Sequence, residues 1–119
     1  MALGPDPEVY AQRWVDTWNS RDLEAILAGY APDVVFHSPL AAQVLPASNG
    51  TIRGRDALRD YWRAALARNT DLHFELREAF HSPGAIAVGY ETQHGVSRLE
   101  VLTFDAGQIS EGWGFLPAS

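Results

Sequence analysis

The chain has 119 residues, 46% of them hydrophobic and 20% charged, with a net charge of -6 and no cysteine. It is long enough for one domain with a real core, and its composition is that of an ordinary globular protein. The negative charge argues against nucleic acid or membrane as partners, since both need a basic face. The missing cysteines exclude disulfides, thiolate metal sites and cysteine nucleophiles.

No run of residues approaches a membrane span. The segment Met1-Ala2-Leu3-Gly4-Pro5-Asp6-Pro7-Glu8 lacks the basic region and apolar core of a leader. The expected location is cytoplasmic. Asp6 suits a helix cap, Pro7 the first helical position, and Glu8 the positive end of the dipole. Ala11, Trp14, Val15 and Trp18 then share one face at helical spacing. Asn19-Ser20 interrupts the pattern. Ser20 or Asp22 caps a second, shorter helix with Leu23, Ile26, Leu27 and Tyr30 on its apolar side. Pro32 is expected to end it, because the residue before a proline avoids the helical region.

Residues 34–38 read as a short strand stopped by Pro39. Residues 39–50 read as a loop, long for a compact domain and of the kind that often covers a binding site. Its Leu40, Val44 and Leu45 suggest that part of it packs down. A third helix follows Gly54, with Leu58, Tyr61, Trp62, Ala65 and Leu66 on one stripe. Beyond Asn69-Thr70 the pattern is strand and turn. Strands are expected near 71–80, 85–94, 96–104 and 109–116, separated by Ser82-Pro83-Gly84, Gly95 and Asp105-Ala106-Gly107. Such short turns make antiparallel neighbours. The predicted order is ααβαββββ, an α+β fold in which a curved, cone-shaped antiparallel sheet wraps three helices.

Glu100 stands out in this pattern. It lies in Ser97-Arg98-Leu99-Glu100-Val101-Leu102-Thr103-Phe104 and shares a strand face with Leu102 and Phe104. A carboxyl in such a place loses hydration, which raises its pKa towards neutrality and makes it a usable proton donor. The plainer alternative is an ion pair with Arg98 or an edge position in water. The histidines, His37, His73, His81 and His94, are scattered, and no pair has the spacing of a helical metal site. No metal is therefore expected. Strand alternation turns His37 away from Phe36 and Ser38, His81 reads as a turn residue, and His94 reads as a solvated residue beside the Gly95 turn. No glycine-rich phosphate loop is present, so no cofactor is expected. The many aromatics read mostly as core, but an apolar ligand site would use such flat walls. If Gly112 and Gly114 face inwards, then Leu99, Val101, Trp113 and Phe115 make an apolar outer face, which normally meets a partner.

Several segments together carry a family likeness: residues 12–15, Asn19 through Ile26, Tyr30-Ala31-Pro32-Asp33-Val34-Val35-Phe36 with Pro39, Gly54 through Trp62, and the hairpins closing at Gly107-Gln108-Ile109. In these the chain resembles the nuclear transport factor 2-like superfamily, of cystatin-like fold, and in particular its SnoaL-like and ketosteroid-isomerase-like branch. The resemblance spans residues 1–119 as a single domain. It implies a hydrophobic pocket and a homodimer formed through the outer sheet face. It does not define a reaction, because one fold serves many chemistries.

Steroid isomerases of that branch use an aspartate just before a proline on the first strand as base. Here that place holds Ser38. The tyrosine and the protonated aspartate of their oxyanion hole correspond to Trp14 and Glu100, and a further tyrosine to Trp62. The epoxide hydrolases need an aspartate–arginine–aspartate set. Arg98 and Glu100 imitate part of it, on the wrong strand, and the last carboxylate position, near Gly114, is empty. The resulting expectation is a pocket for a small, largely apolar carbonyl or polyketide-like molecule. Glu100 would be the acid or hydrogen-bond donor, and Trp14, Tyr30, Phe36, Ser38, Trp62, Tyr90 and Phe104 would contact the ligand. The alternative is a binding or dimerisation module without catalysis.

Overall fold

The computed structural model describes residues 6–118, so the reading of residues 1–5 lies outside the described residues. Helix α1 (Pro7–Ser20) starts where the sequence places it, with Asp6 accepting from the Glu8 amide at 2.8 Å. It stops at Arg21, which adopts the left-handed conformation. The Arg21 guanidinium then donates to the carbonyls of Leu66 and Asn69, tying this corner to the end of the fourth helix. Asp22 caps the short α2 (Leu23–Leu27).

Strand β1 runs over Tyr30–His37, not 34–38. Tyr30 is therefore a strand residue and does not belong to the apolar side of α2. Pro32 is tolerated because the pairing of β1 with its neighbour is interrupted between Tyr30 and Val35, so no ladder hydrogen bond is lost there. The expected loop over 39–50 is largely structured. Helix α3 (Pro39–Val44) has Ser38 as its cap and Pro39 at its start, and a 3-10 turn follows at Pro46–Ser48. Thr51–Arg53 form β2, a strand the sequence reading did not expect. Helix α4 is Arg55–Arg68, and the remaining strands are β3 (Glu75–Ser82), β4 (Ala85–Glu91), β5 (Ser97–Asp105) and β6 (Gln108–Phe115). His81 thus belongs to a strand and not to a turn.

The six strands form one curved sheet in the order β2-β1-β6-β5-β4-β3. All neighbours are antiparallel except β1 and β6, which run parallel. The helices lie in its concavity. Alternation along β4 and β5 sends Ile86, Val88, Tyr90, Glu100 and Leu102 inward, where they are buried. The apolar stripes of α1 and α4 meet them through an aromatic layer. Trp18 packs edge-on to Trp62 at 4.9 Å, Tyr30 to Trp62 at 5.1 Å, and Phe74 against Tyr90 at 4.5 Å. Asn19 clamps α1 to the chain just before β3, donating to the Phe74 carbonyl and accepting from its amide. Among the described residues no helix is long and apolar enough to cross a membrane.

Candidate functional site

Two cavities open between the helices and the concave face, at opposite ends of the strands. The smaller, of about 310 Å³, lies where β1 and β6 finish and where β4 turns into β5. Trp14, Phe36, Ser38, Trp62, Tyr90 and Glu100 line it. The larger, of about 780 Å³, lies under the β3–β4 and β5–β6 turns and is lined by Tyr10, Arg13, Tyr30 and Phe104 among others. Trp14 and Trp18 wall both. Two residues expected beside the ligand, Tyr30 and Phe104, thus face the cavity that lacks Glu100. Trp14 belongs to both.

Glu100 sits opposite Val88 on one side and Gly114 on the other. It is 6% exposed, and burial raises its pKa to about 8, with the nearby Arg98 guanidinium pulling the other way. Among the described residues no hydrogen bond or ion pair satisfies its carboxyl. The plainer expectation, a salt bridge with Arg98 or an edge position in water, does not hold. Gly114 lies beside this carboxyl. A Cβ placed there would lie 3.6 Å from Glu100 Oε1 and 3.4 Å from Ser38 Oγ. Both oxygens therefore flank the same glycine.

Ser38 is buried, and its Oγ accepts from the Leu40 amide at 3.2 Å as the cap of α3. A hydroxyl in this position is no base near neutrality. Burial raises the pKa of Tyr61, while Ser38 and the guanidiniums of Arg68 and Arg98 lower it. Tyr30, fully enclosed, is raised well above its ordinary value, chiefly by burial and secondly by Glu100. Its hydroxyl accepts from Trp14 Nε1 at 3.3 Å. Tyr90 is raised by burial first and Glu100 second. A ring of hydroxyls and indoles that do not ionise near neutrality thus surrounds one carboxyl that does.

Four residues lining this cavity were not among those expected to contact a ligand. Arg98 lines this cavity, and its signal was plain, since residues two apart on a strand share a face. Tyr61 was legible as part of the α4 stripe. Leu40 and Val44, on α3, also line the cavity, so the segment over 39–50 does contribute to the site, as a helix. His37 faces away from it. On the outer surface it stacks on Trp113 at 5.4 Å and contacts Glu111 at 2.7 Å and Thr51 at 3.0 Å. His94 lies at the cavity mouth, 3.7 Å from Asp71.

Residues 11–112 match the SnoaL-like domain, and the chain belongs to that family. A search of curated proteins finds no match. Among solved structures it is similar to a SnoaL-like protein of unknown function from Burkholderia thailandensis E264. That pair shares 30% identity, covers 94% of each chain and has a TM-score of 0.89. TerC, co-crystallised with polyporic acid, shares 18% identity over 94% of this chain and 92% of its own, with a TM-score of 0.73. A putative polyketide cyclase from Sinorhizobium meliloti shares 17% identity over 97% of this chain and 100% of its own, with a TM-score of 0.72. The last two similarities speak for the fold.

Proposed function

We propose that the cavity around Glu100 holds a small, largely apolar molecule of the carbonyl or polyketide-like kind. Glu100 serves there as acid or hydrogen-bond donor in a cofactor-independent isomerase- or cyclase-like reaction. The observation that carries this reading is an unpaired carboxyl, held mostly neutral by burial, facing a cavity with aromatic walls. A neutral carboxyl donates a hydrogen bond to a carbonyl oxygen and follows it as charge develops. Co-crystallisation of TerC with polyporic acid and the cyclase name of the Sinorhizobium protein are in keeping with it. The absence of a base at Ser38 favours a second reading, a pocket that binds without turnover.

The test is direct, because Trp14, Trp18 and Trp62 report on the cavity by fluorescence. A two-ring ketone such as 2-tetralone should quench them on binding. Glu100→Gln should keep the fold and most of the affinity, since an amide still donates. Glu100→Leu should keep the fold and weaken binding by roughly tenfold, the worth of one such bond. Equal binding by native and Glu100→Leu proteins would remove Glu100 from the site.

The assembly belongs to the same proposal. Leu99 pairs with Phe115 and Val101 with Trp113 on the outer face, and Phe115 and Phe80 are 48% and 51% exposed. A second copy of the chain covering this face makes a homodimer. Light scattering should give a dimer mass, and Trp113→Glu a monomer, because a buried unpaired charge costs several kcal/mol, to order of magnitude. A native monomer at micromolar concentration would refute it.

A further inference from the structure

The nine basic side chains of this acidic chain are all arginines. Arg59, Arg63 and Arg77 pair with carboxylates, and Arg21 and Arg55 donate to carbonyls. Arg98 differs. It lines the Glu100 cavity, and its Nε is enclosed without a hydrogen-bond partner. A guanidinium nitrogen removed from water and left unpaired is costly, and such groups call for an explanation. An ion pair with Glu100 would be the ready remedy on the same strand face, yet the two do not pair.

Arg98 is not alone. Arg68 lines the same cavity from α4. Both arginines act on the Tyr61 hydroxyl. Glu100 is the sole acidic side chain among the lining residues. A chain of net charge -6 has thus gathered positive charge at one cavity and kept other carboxylates out of its lining.

We propose that the occupant of this cavity is an anion, a flat apolar acid or enolate whose charged oxygens are received by Arg98, beside the carboxyl of Glu100. This rests on the pocket reading above and narrows the ligand class from neutral carbonyl compounds to amphipathic acids. The guanidinium fork matches a carboxylate or an enolate pair of oxygens, and the aromatic walls take the ring body. A cavity of about 310 Å³ accommodates a ligand of two fused rings.

Binding should also be linked to protonation. The groups facing Glu100 are Arg98 on its own strand, Tyr90 on β4, Tyr30 on β1 and Tyr61 on α4. The tyrosines are raised above their ordinary values, so among these groups Glu100 is the one that titrates near neutrality. A bound anion repels the ionised carboxyl. Affinity for an acid should fall as pH rises through about 8, and this fall should vanish in Glu100→Gln.

The experiment compares 2-naphthoate with its neutral counterpart 2-naphthamide by titration calorimetry at pH 7. The native protein should bind the acid about tenfold or more tighter, as charge-assisted hydrogen bonds exceed neutral ones. Arg98→Met keeps the aliphatic stem and should erase the preference while leaving amide affinity within about threefold. Arg98→Lys, a milder change should Arg98→Met misfold, keeps the charge without the fork and should cut the preference several-fold. Arg13→Met, in the larger cavity, should leave it intact. Equal or tighter binding of the amide overturns this proposal alone. So does a preference that survives Arg98→Met or is lost in Arg13→Met. Binding of neither probe overturns it together with the pocket reading.

Discussion

The cavity under the β3–β4 and β5–β6 turns encloses about 780 Å³ and the cavity around Glu100 about 310 Å³, and α1 walls both through Trp14 and Trp18. The larger is the roomier site for a ligand, yet its charged and titratable lining consists of Tyr10, Tyr30 and Arg13. Tyr10 packs edge-on to Phe104 at 5.4 Å, and burial pushes its pKa up to about 12, so it does not titrate near neutrality. The smaller cavity concentrates Glu100, Arg98, Ser38, Tyr61 and Tyr90. Volume comes from how far the sheet curls away from the helices. Chemistry comes from which strand ends bring polar side chains inward. The two need not coincide, and here they separate along one helix.

The largest effect expected concerns what the Glu100 cavity lacks. Its only hydroxyl at the place of a first-strand base, Ser38, caps α3. Loss of a general base costs roughly two to four orders of magnitude in rate. Isomerisation of a 3-keto-Δ5-steroid, followed by absorbance of the conjugated product, should be negligible. Robust turnover would mean that another group supplies the base and that the cavity is better equipped than its lining implies.

The next effect is on stability. The folded pKa of Glu100, about 8, exceeds an unfolded value near 4.3. The folded state therefore holds a proton that the unfolded chain has released. The stability linked to Glu100 is fully present below pH about 4, declines as pH rises, and levels off above about 8. At about 1.4 kcal/mol per unit the decline is on the order of a few kcal/mol. Urea unfolding at pH 5, 6.5 and 8.5 should show it as a slope that Glu100→Gln abolishes. Exposed carboxylates such as Glu24, lowered by its hydrogen bond to Arg59, act in the opposite sense. They cancel in the difference between the two proteins. An identical profile for both would mean that Glu100 is hydrated.

These effects also mark how far the sequence could be read. Periodicity placed the buried faces of α1 and α4 and the hairpins from β3 to β6, because helices and hairpins are set by local spacing and turn chemistry. β2 was invisible because three residues carry no period. α3 carried a signal, Ser38 as cap before Pro39, that its small, mixed residues obscured. The parallel pairing of β1 with β6 joins strands some seventy residues apart, and nothing local encodes it. Glu100 was legible from its apolar strand neighbours. The place of Arg98 followed from the same alternation. The division into two cavities did not, since it depends on how Trp14 and Trp18 pack between α1 and the sheet.

The smallest effect expected tests that division most directly. Gly114 lies against the Glu100 cavity, and a Cβ there would make ordinary contacts with Ser38 Oγ and Glu100 Oε1. Gly29 lines the larger cavity, and a Cβ there would meet nothing within 4 Å. Leucine at either position therefore starts from an unstrained Cβ, each beside a different cavity. Gly114→Leu should fold, and overpacking of about 1–3 kcal/mol would oppose any ligand that shares the space. Binding of 2-tetralone should weaken by about tenfold or more. Gly29→Leu should leave it within about twofold, because the aromatic wall of Trp14 and Trp18 separates the two spaces. The reverse pattern would seat the ligand in the larger cavity, under the turns. Glu100 would then be a buried acid that shapes the pH dependence of stability and touches no ligand.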